Sequence, residues 1–253
     1  MRLLLTLVAT LAVLLAACGG GDESEPSQTG VPASPAAVAS MTAEERAATE
    51  ALLKAAALRL EDLPSGFTLD EEGFTTNEET AEEQIDNPYA PTLEDLNRFG
   101  RILAYEASYS QEVPAGSLLE GGTLSLQVTT TVYQDSDGAD EAFEFVREQA
   151  SDPEFLEAFE ESFSSPGVDV RDASISPMSF AELGDERLAF EIKVSTHSTD
   201  LDQDLDFIAQ LVGVRRDRGI GSVTVLAVNS PSPVEELEDL TRTLDERLKD
   251  ALE

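Results

Sequence analysis

Cys18 is the only cysteine in a chain of 253 residues. No internal disulfide can form, so whatever this chain folds into must be held together by an apolar core alone. Length permits that: a domain of 150–200 residues buries about 70% of the surface its unfolded chain exposes. With hydrophobic residues at 41% of the chain, there is enough material for such a core.

The position of Cys18 carries a second message. Arg2 is followed by an apolar run from Leu3 to Ala17, and the run closes on Leu15-Ala16-Ala17-Cys18 before Gly19-Gly20-Gly21. The run falls short of the roughly 20 apolar residues that span a bilayer. It has the charged start, apolar middle and small-residue end of a secretory signal. The segment resembles the lipobox of a bacterial lipoprotein precursor. That resemblance implies cleavage before Cys18, a diacylglycerol thioether on its sulfur, and an acyl group such as palmitate on its amine. Two or more acyl chains hold a protein at a membrane, at about 0.8 kcal/mol per buried methylene. The division that follows is a signal peptide over 1–17, a lipidated cysteine with a disordered linker over 18–40, and a single extracytoplasmic domain over 41–253. An ordinary signal peptide with an incidental Cys18 is the alternative.

Residues Gly19 to Ser40 are rich in Gly, Ser, Pro and Ala and hold no aromatic or long aliphatic side chain. Such a segment cannot bury enough surface to order itself. As a flexible coil it reaches on the order of 25 Å.

Acidic residues number 51 against 16 Lys plus Arg, for a net charge of −35. This excludes nucleic acid and anionic lipid as partners of the general surface. A solvated acidic surface is the plain reading.

Thr42 and Glu45 have capping-box spacing before an Ala-rich helix that runs to about Leu60. Leu63-Pro64-Ser65-Gly66-Phe67 ends that helix, Phe67 to Phe74 reads as a strand, and Thr75 to Pro91 as an exposed, irregular loop. Thr92 is placed to cap a short helix ending near Gly100. Leu103, Tyr105, Ala107 and Tyr109 then recur at every second position. Thr123 to Gln134 alternates more strictly, with Leu124, Leu126, Val128 and Val132 against Ser125, Gln127, Thr129 and Thr131. Period two with one polar side is the pattern of a half-covered antiparallel strand. Two amphipathic helices follow, the first capped by Asp137, the second carrying Phe155, Leu156, Phe159 and Phe163. Glu186 to Thr196 is a further strand. Phe207–Arg216 and Ile220–Val228 form a hairpin. A last helix is expected to start at a capping box, Ser232 to Glu235, and carries Leu237, Leu240, Leu244 and Leu248 on one stripe. The class is α+β: an antiparallel sheet with amphipathic helices packed on it. Ala104-Tyr105-Glu106 and Ala189-Phe190-Glu191 hint at two repeated strand–strand–helix units.

Three short stretches, Leu63-Pro64-Ser65-Gly66-Phe67, Leu183-Gly184-Asp185-Glu186 and Val214-Arg215-Arg216, are similar to those of actinobacterial envelope lipoproteins and kinase sensor domains with a PsbP-like α/β sandwich. The resemblance implies that fold over most of Thr42–Glu253 and an extracytoplasmic location. This chain departs from the sensor domains in lacking the cysteines for disulfides.

The chemistry-bearing residues are few. His197 is the only histidine, and a triad with Ser195 or Ser198 and Asp200 is formally open. No nucleophile-elbow Gly-x-Ser-x-Gly exists, so enzymatic activity is not expected. Asp200, Asp202, Asp204 and Asp206 alternate as oxygen ligands of a Ca²⁺ loop would. Leu205 and Leu211 stand where an EF-hand needs Gly and Glu, which leaves a looser cation site or an acidic loop. Arg215, Arg216 and Arg218 are the densest basic cluster; they suit an anionic ligand, or serve as charges that block strand pairing at a hairpin tip. The expectation is a non-enzymatic binding or interaction module, held at the cell membrane through lipidated Cys18. Its partner would be a small molecule, a lipid or an envelope protein, and no cofactor is implied. An envelope hydrolase and a structural spacer are the alternatives.

Overall fold

The computed structural model describes residues 41–85, 87, 89–111, 121–163, 168–199 and 202–253. Cys18, the leader, the linker Gly19–Ser40 and Asp200 lie outside them. Among the described residues there are six α-helices and one antiparallel sheet of seven strands. The strands are β1 (Phe67–Thr75), β2 (Arg101–Gln111), β3 (Gly122–Tyr133), β4 (Val168–Pro177), β5 (Glu186–Ser198), β6 (Gln203–Arg216) and β7 (Gly219–Val228). Their order in space is β1-β2-β3-β7-β6-β5-β4. The helices are α1 (Ala43–Ala56), α2 (Asn77–Glu83), α3 (Leu93–Arg98), α4 (Ser136–Gln149), α5 (Pro153–Phe163) and α6 (Val234–Leu252). The α+β class expected from the alternation is the one observed.

Alternation sorts side chains onto two faces, and each face has its own cover. On one face, Leu103, Tyr105, Ala107 and Tyr109 of β2 and Leu126, Val128 and Val132 of β3 meet Val223 and Val225 of β7. Helices α1 and α6 close this core with Leu53, Leu237, Leu240 and Leu244. Two polar groups tie α1 down: Thr130 Oγ1 donates to Leu53 O at 3.1 Å, and the Tyr109 hydroxyl donates to Leu58 O at 3.0 Å. On the other face, Phe190, Ile192, Val194, Ala209, Leu211 and Leu226 pack beneath Phe155 of α5. Ala139 and Ala142 of α4 settle there against Phe99 and Tyr133.

Local signals hold in several places. Thr42 and Glu45 form the capping box, with Thr42 N donating to Glu45 at 2.7 Å and Glu45 N to Thr42 Oγ1 at 3.2 Å. Thr92 caps α3 in the same way through Asp95. Other expectations are corrected. Thr75–Pro91 is no irregular loop: Thr76 and Glu79 form a capping box and start α2, which buries Asn77 and Thr80. Asp135, not Asp137, caps α4, accepting from Gly138 N at 2.9 Å. Ser232 caps nothing; its hydroxyl lies 2.7 Å from Thr123 Oγ1, and α6 begins after Pro233 without a side-chain cap. Strand β4, absent from the sequence reading, forms the edge beside β5.

The strand–strand–helix units exist as connectivity, in β2-β3-α4 and β6-β7-α6. The two similar tripeptides do not mark them. Tyr105 faces α1 and α6, whereas Phe190 belongs to the opposite core.

Candidate functional site

Arg215, Arg216 and Arg218 sit at the β6–β7 turn, and the pleat sends them apart. Arg216 points toward α6, where Nε and an NH₂ group donate to Asp245 at 2.8 and 2.7 Å. Hydrogen bonding to Asp245 pushes the Arg216 guanidinium above its ordinary pKa. Asp245 Oδ2 also accepts from Gly184 N at 3.1 Å. Gly184 is required there: its φ is +63°, and a Cβ would sit 2.4 Å from Arg215 O. Arg215 lies on the opposite side among Asp140, Asp185 and Glu186, at 3.4 to 4.0 Å. Arg218 donates to Tyr133 O at 3.4 Å. The cluster is therefore three separate attachments, of which the Arg216–Asp245 pair locks α6 and the Gly184 turn to the hairpin.

The acidic repeat also resolves into pairs. Period two is the spacing of one strand side as well as of a cation loop, and β6 begins at Gln203. Asp204 Oδ1 lies 2.8 Å from His197 Nδ1 and 3.2 Å from Arg171. Asp206 accepts from Lys193 at 2.7 Å and from Ser195 Oγ at 2.6 Å. Burial alone would raise the Asp206 carboxyl, but those two donors outweigh it and hold it below its ordinary value. Asp202 stands 3.8 Å from His197 Nε2. Among the described residues no group of three or more His, Cys, Asp or Glu side chains is arranged to hold a metal ion. Ser195 and His197 bond to different carboxylates, Asp206 and Asp204, and Asp200 of the formal triad lies outside the described residues.

A third arrangement was not anticipated. One polar side is the pattern of a half-covered strand, yet Ser125, Gln127, Thr129 and Thr131 of β3 are all buried. Thr129 and Thr131 form a polar floor beneath α3 and α4. At one end, a pocket of about 30 Å³ is lined by Pro91, Leu96, Phe99, Arg101, Thr129, Thr131, Tyr133, Ala142, Phe145 and Val146. Arg101 is only 3% exposed. One NH₂ group donates to Asn77 Oδ1 at 2.9 Å and the other to Thr75 Oγ1 at 3.0 Å. Burial pushes the Arg101 guanidinium below its ordinary pKa, while Tyr133, Glu106 and Glu79 act in the opposite sense. Burial likewise raises the Tyr133 hydroxyl to about 12, with Arg101 pulling against it.

Farther along β3, Gln127 Nε2 donates to Glu106 at 3.5 Å. Gln127 Oε1, Gln84 Oε1 and Thr80 Oγ1 are buried without a protein partner. Burial raises the Glu106 carboxyl above the ordinary glutamate range, opposed by Arg101 and reinforced by Glu83 and Glu71. The folded state therefore binds a proton more readily at Glu106 than the unfolded chain does, and stability is lost as pH rises through that window. Glu106→Gln should be more stable than wild type at pH 7, and the advantage should vanish at a pH below the unfolded glutamate value. Urea denaturation of both proteins at pH 7 and pH 4 checks this; an equal difference at the two pH values counts against it.

No family model matches the chain, and no curated protein matches it. Among solved structures, the chain is similar to the extracellular domain of PknH from Mycobacterium tuberculosis. The similarity covers 79% of this chain and 96% of that one, at 8% sequence identity and a TM-score of 0.39.

Proposed function

We propose that this chain is a lipid-anchored, extracytoplasmic binding module of a bacterial cell envelope, without enzymatic activity. The observation that carries the binding role is the pocket on the α4 face, where a buried guanidinium and two threonines lie within an apolar rim. Ligand sites commonly have this composition: mostly apolar walls and a few placed polar groups. The tether rests on Leu15-Ala16-Ala17-Cys18 and on the absence of any other cysteine. Among the described residues no helix is long and apolar enough to cross a membrane. The non-enzymatic reading draws support from the separate engagement of Ser195 and His197.

Cys18→Ala tests the anchor. In detergent-phase partitioning the wild-type chain should follow the detergent. The variant should move to the aqueous phase or persist as an uncleaved precursor. Equal partitioning of the two mature proteins would refute the anchor.

A further inference from the structure

Arg101 is a buried cation in a protein of charge −35 with no described carboxylate in direct contact; Glu106 and Glu79 act on it only from beyond 4.0 Å. Among the described Lys and Arg side chains, only Arg101 and Arg218 have no described carboxylate within 4.0 Å; each of the others holds at least one. Both exceptions flank one residue. Arg101 is the cross-strand partner of Tyr133, and Arg218 is bonded to Tyr133 through both main-chain and side-chain groups. Among the described residues, the most enclosed guanidinium thus has carboxylates in its field but none within bonding distance.

Desolvating a charge without a partner costs several kcal/mol, and buried charges in proteins are accordingly paired. Asn77 and Thr75 supply two neutral acceptors, and a guanidinium has five N–H donors. Three donors remain beyond those two bonds. Thr129, Thr131 and Tyr133 line the same pocket, and a hydroxyl can donate as readily as accept.

We propose that this pocket binds a small monocarboxylate, its carboxylate on Arg101 and the threonine hydroxyls and its short apolar tail against Phe99, Phe145 and Val146. The planar guanidinium fork matches a carboxylate, which it can engage with two parallel bonds. The wall of Leu96, Phe99, Phe145 and Val146 offers nothing to a hydrated inorganic ion and suits a methyl or ethyl group. A volume of about 30 Å³ restricts the occupant to a few heavy atoms. Arg218, half-buried beside Tyr133, locally reverses the repulsion that this polyanion exerts on any anion. The proposal rests on the reading of the domain as a binding module and names the ligand class.

The test is a titration of the full-length chain in neutral detergent, with sodium propionate replacing sodium chloride at constant ionic strength. The melting temperature should rise saturably, by about 2–4 °C at roughly five times the dissociation constant. Amide shifts should change at Thr129, Thr131 and Phe145 and not at the far edge strand β4. Ala142→Leu fills the pocket without touching a charge and should abolish the response. Arg218→Gln, at a half-buried turn position, should weaken affinity about two- to fivefold. The proposal is overturned by a wild-type chain that shows no saturable response, by an Ala142→Leu variant that responds as wild type does, or by a chain that melts higher in chloride than in propionate. None of these results bears on Cys18 partitioning, so the anchor and the ligand class stand or fall separately.

Discussion

Leu244→Ala should destabilise the domain by about 4 kcal/mol, in the upper half of the 2–5 kcal/mol seen for buried leucine truncations. Leu244 is 0% exposed and sits in the middle of the α6 stripe. The cost depends on how far the surroundings can collapse into the space left behind. Here they cannot collapse far. The sheet beneath Leu244 presents Gly221, where an added Cβ would lie 3.0 Å from the leucine side chain. Glycine has no side chain to swing into the gap, and its backbone is held in the ladder between β3 and β6. The urea midpoint should fall with an unchanged slope, because the same surface is exposed on unfolding. Coincident midpoints would place α6 outside the core.

Asp245→Ala should cost about 3 kcal/mol, at the lower end of the range for a broken buried ion pair. The substitution strands two charge-assisted donors of Arg216 and the amide of Gly184 at once. The lower end applies because the Arg216 side chain is 27% exposed and can turn toward water. Adding Arg216→Gln to Asp245→Ala should recover part of the loss, since the second change removes the orphaned charge. Additive losses in that double-mutant cycle would show the pair to be uncoupled.

Long runs of alternation are legible in the sequence, in β2 from Leu103, in β3 from Ser125 and in β5. A bulge between Thr123 and Ser125 breaks the phase, so Leu124 packs on the core opposite to Leu126, Val128 and Val132 and does not share their side. β4 was hidden by its own geometry. A bulge between Val170 and Asp172 shifts the phase, so Val170 and Ala173 share a side at a spacing that period-two reading discards. Helix α2 was hidden by composition, since Asn77, Thr80 and Gln84 bury polar atoms where a helix reader looks for leucine. Its one signal was Thr76 followed by Glu79, the same box that identified α1. The pocket was hidden for a related reason. Ser125, Gln127, Thr129 and Thr131 have the polarity of a solvated strand side, and only the arrival of α3 and α4 makes a floor of Thr129 and Thr131. Arg101 gave no signal at all, because the absence of a carboxylate beside it is a property of space and not of spacing. The Arg215–Arg218 cluster failed in the opposite sense: residues adjacent in sequence were sent to different partners by the pleat.

The place of β7 in the sheet has a consequence for how the chain comes to be folded. It is the last strand in sequence and lies in the middle, pairing Gly122–Val132 with Gly219–Val228 across more than a third of the chain. Until Gly219–Val228 is available, β1–β3 and β4–β6 are two separate ribbons, each with an open hydrogen-bonding edge. Pairings between distant segments close late and slowly, because a long loop must be ordered before any bond rewards it. The sheet cannot knit until Gly219–Val228 is in place, so an incomplete chain holds no closed sheet. The same design gives a stalled or truncated product two sticky borders, which a quality-control protease can recognise.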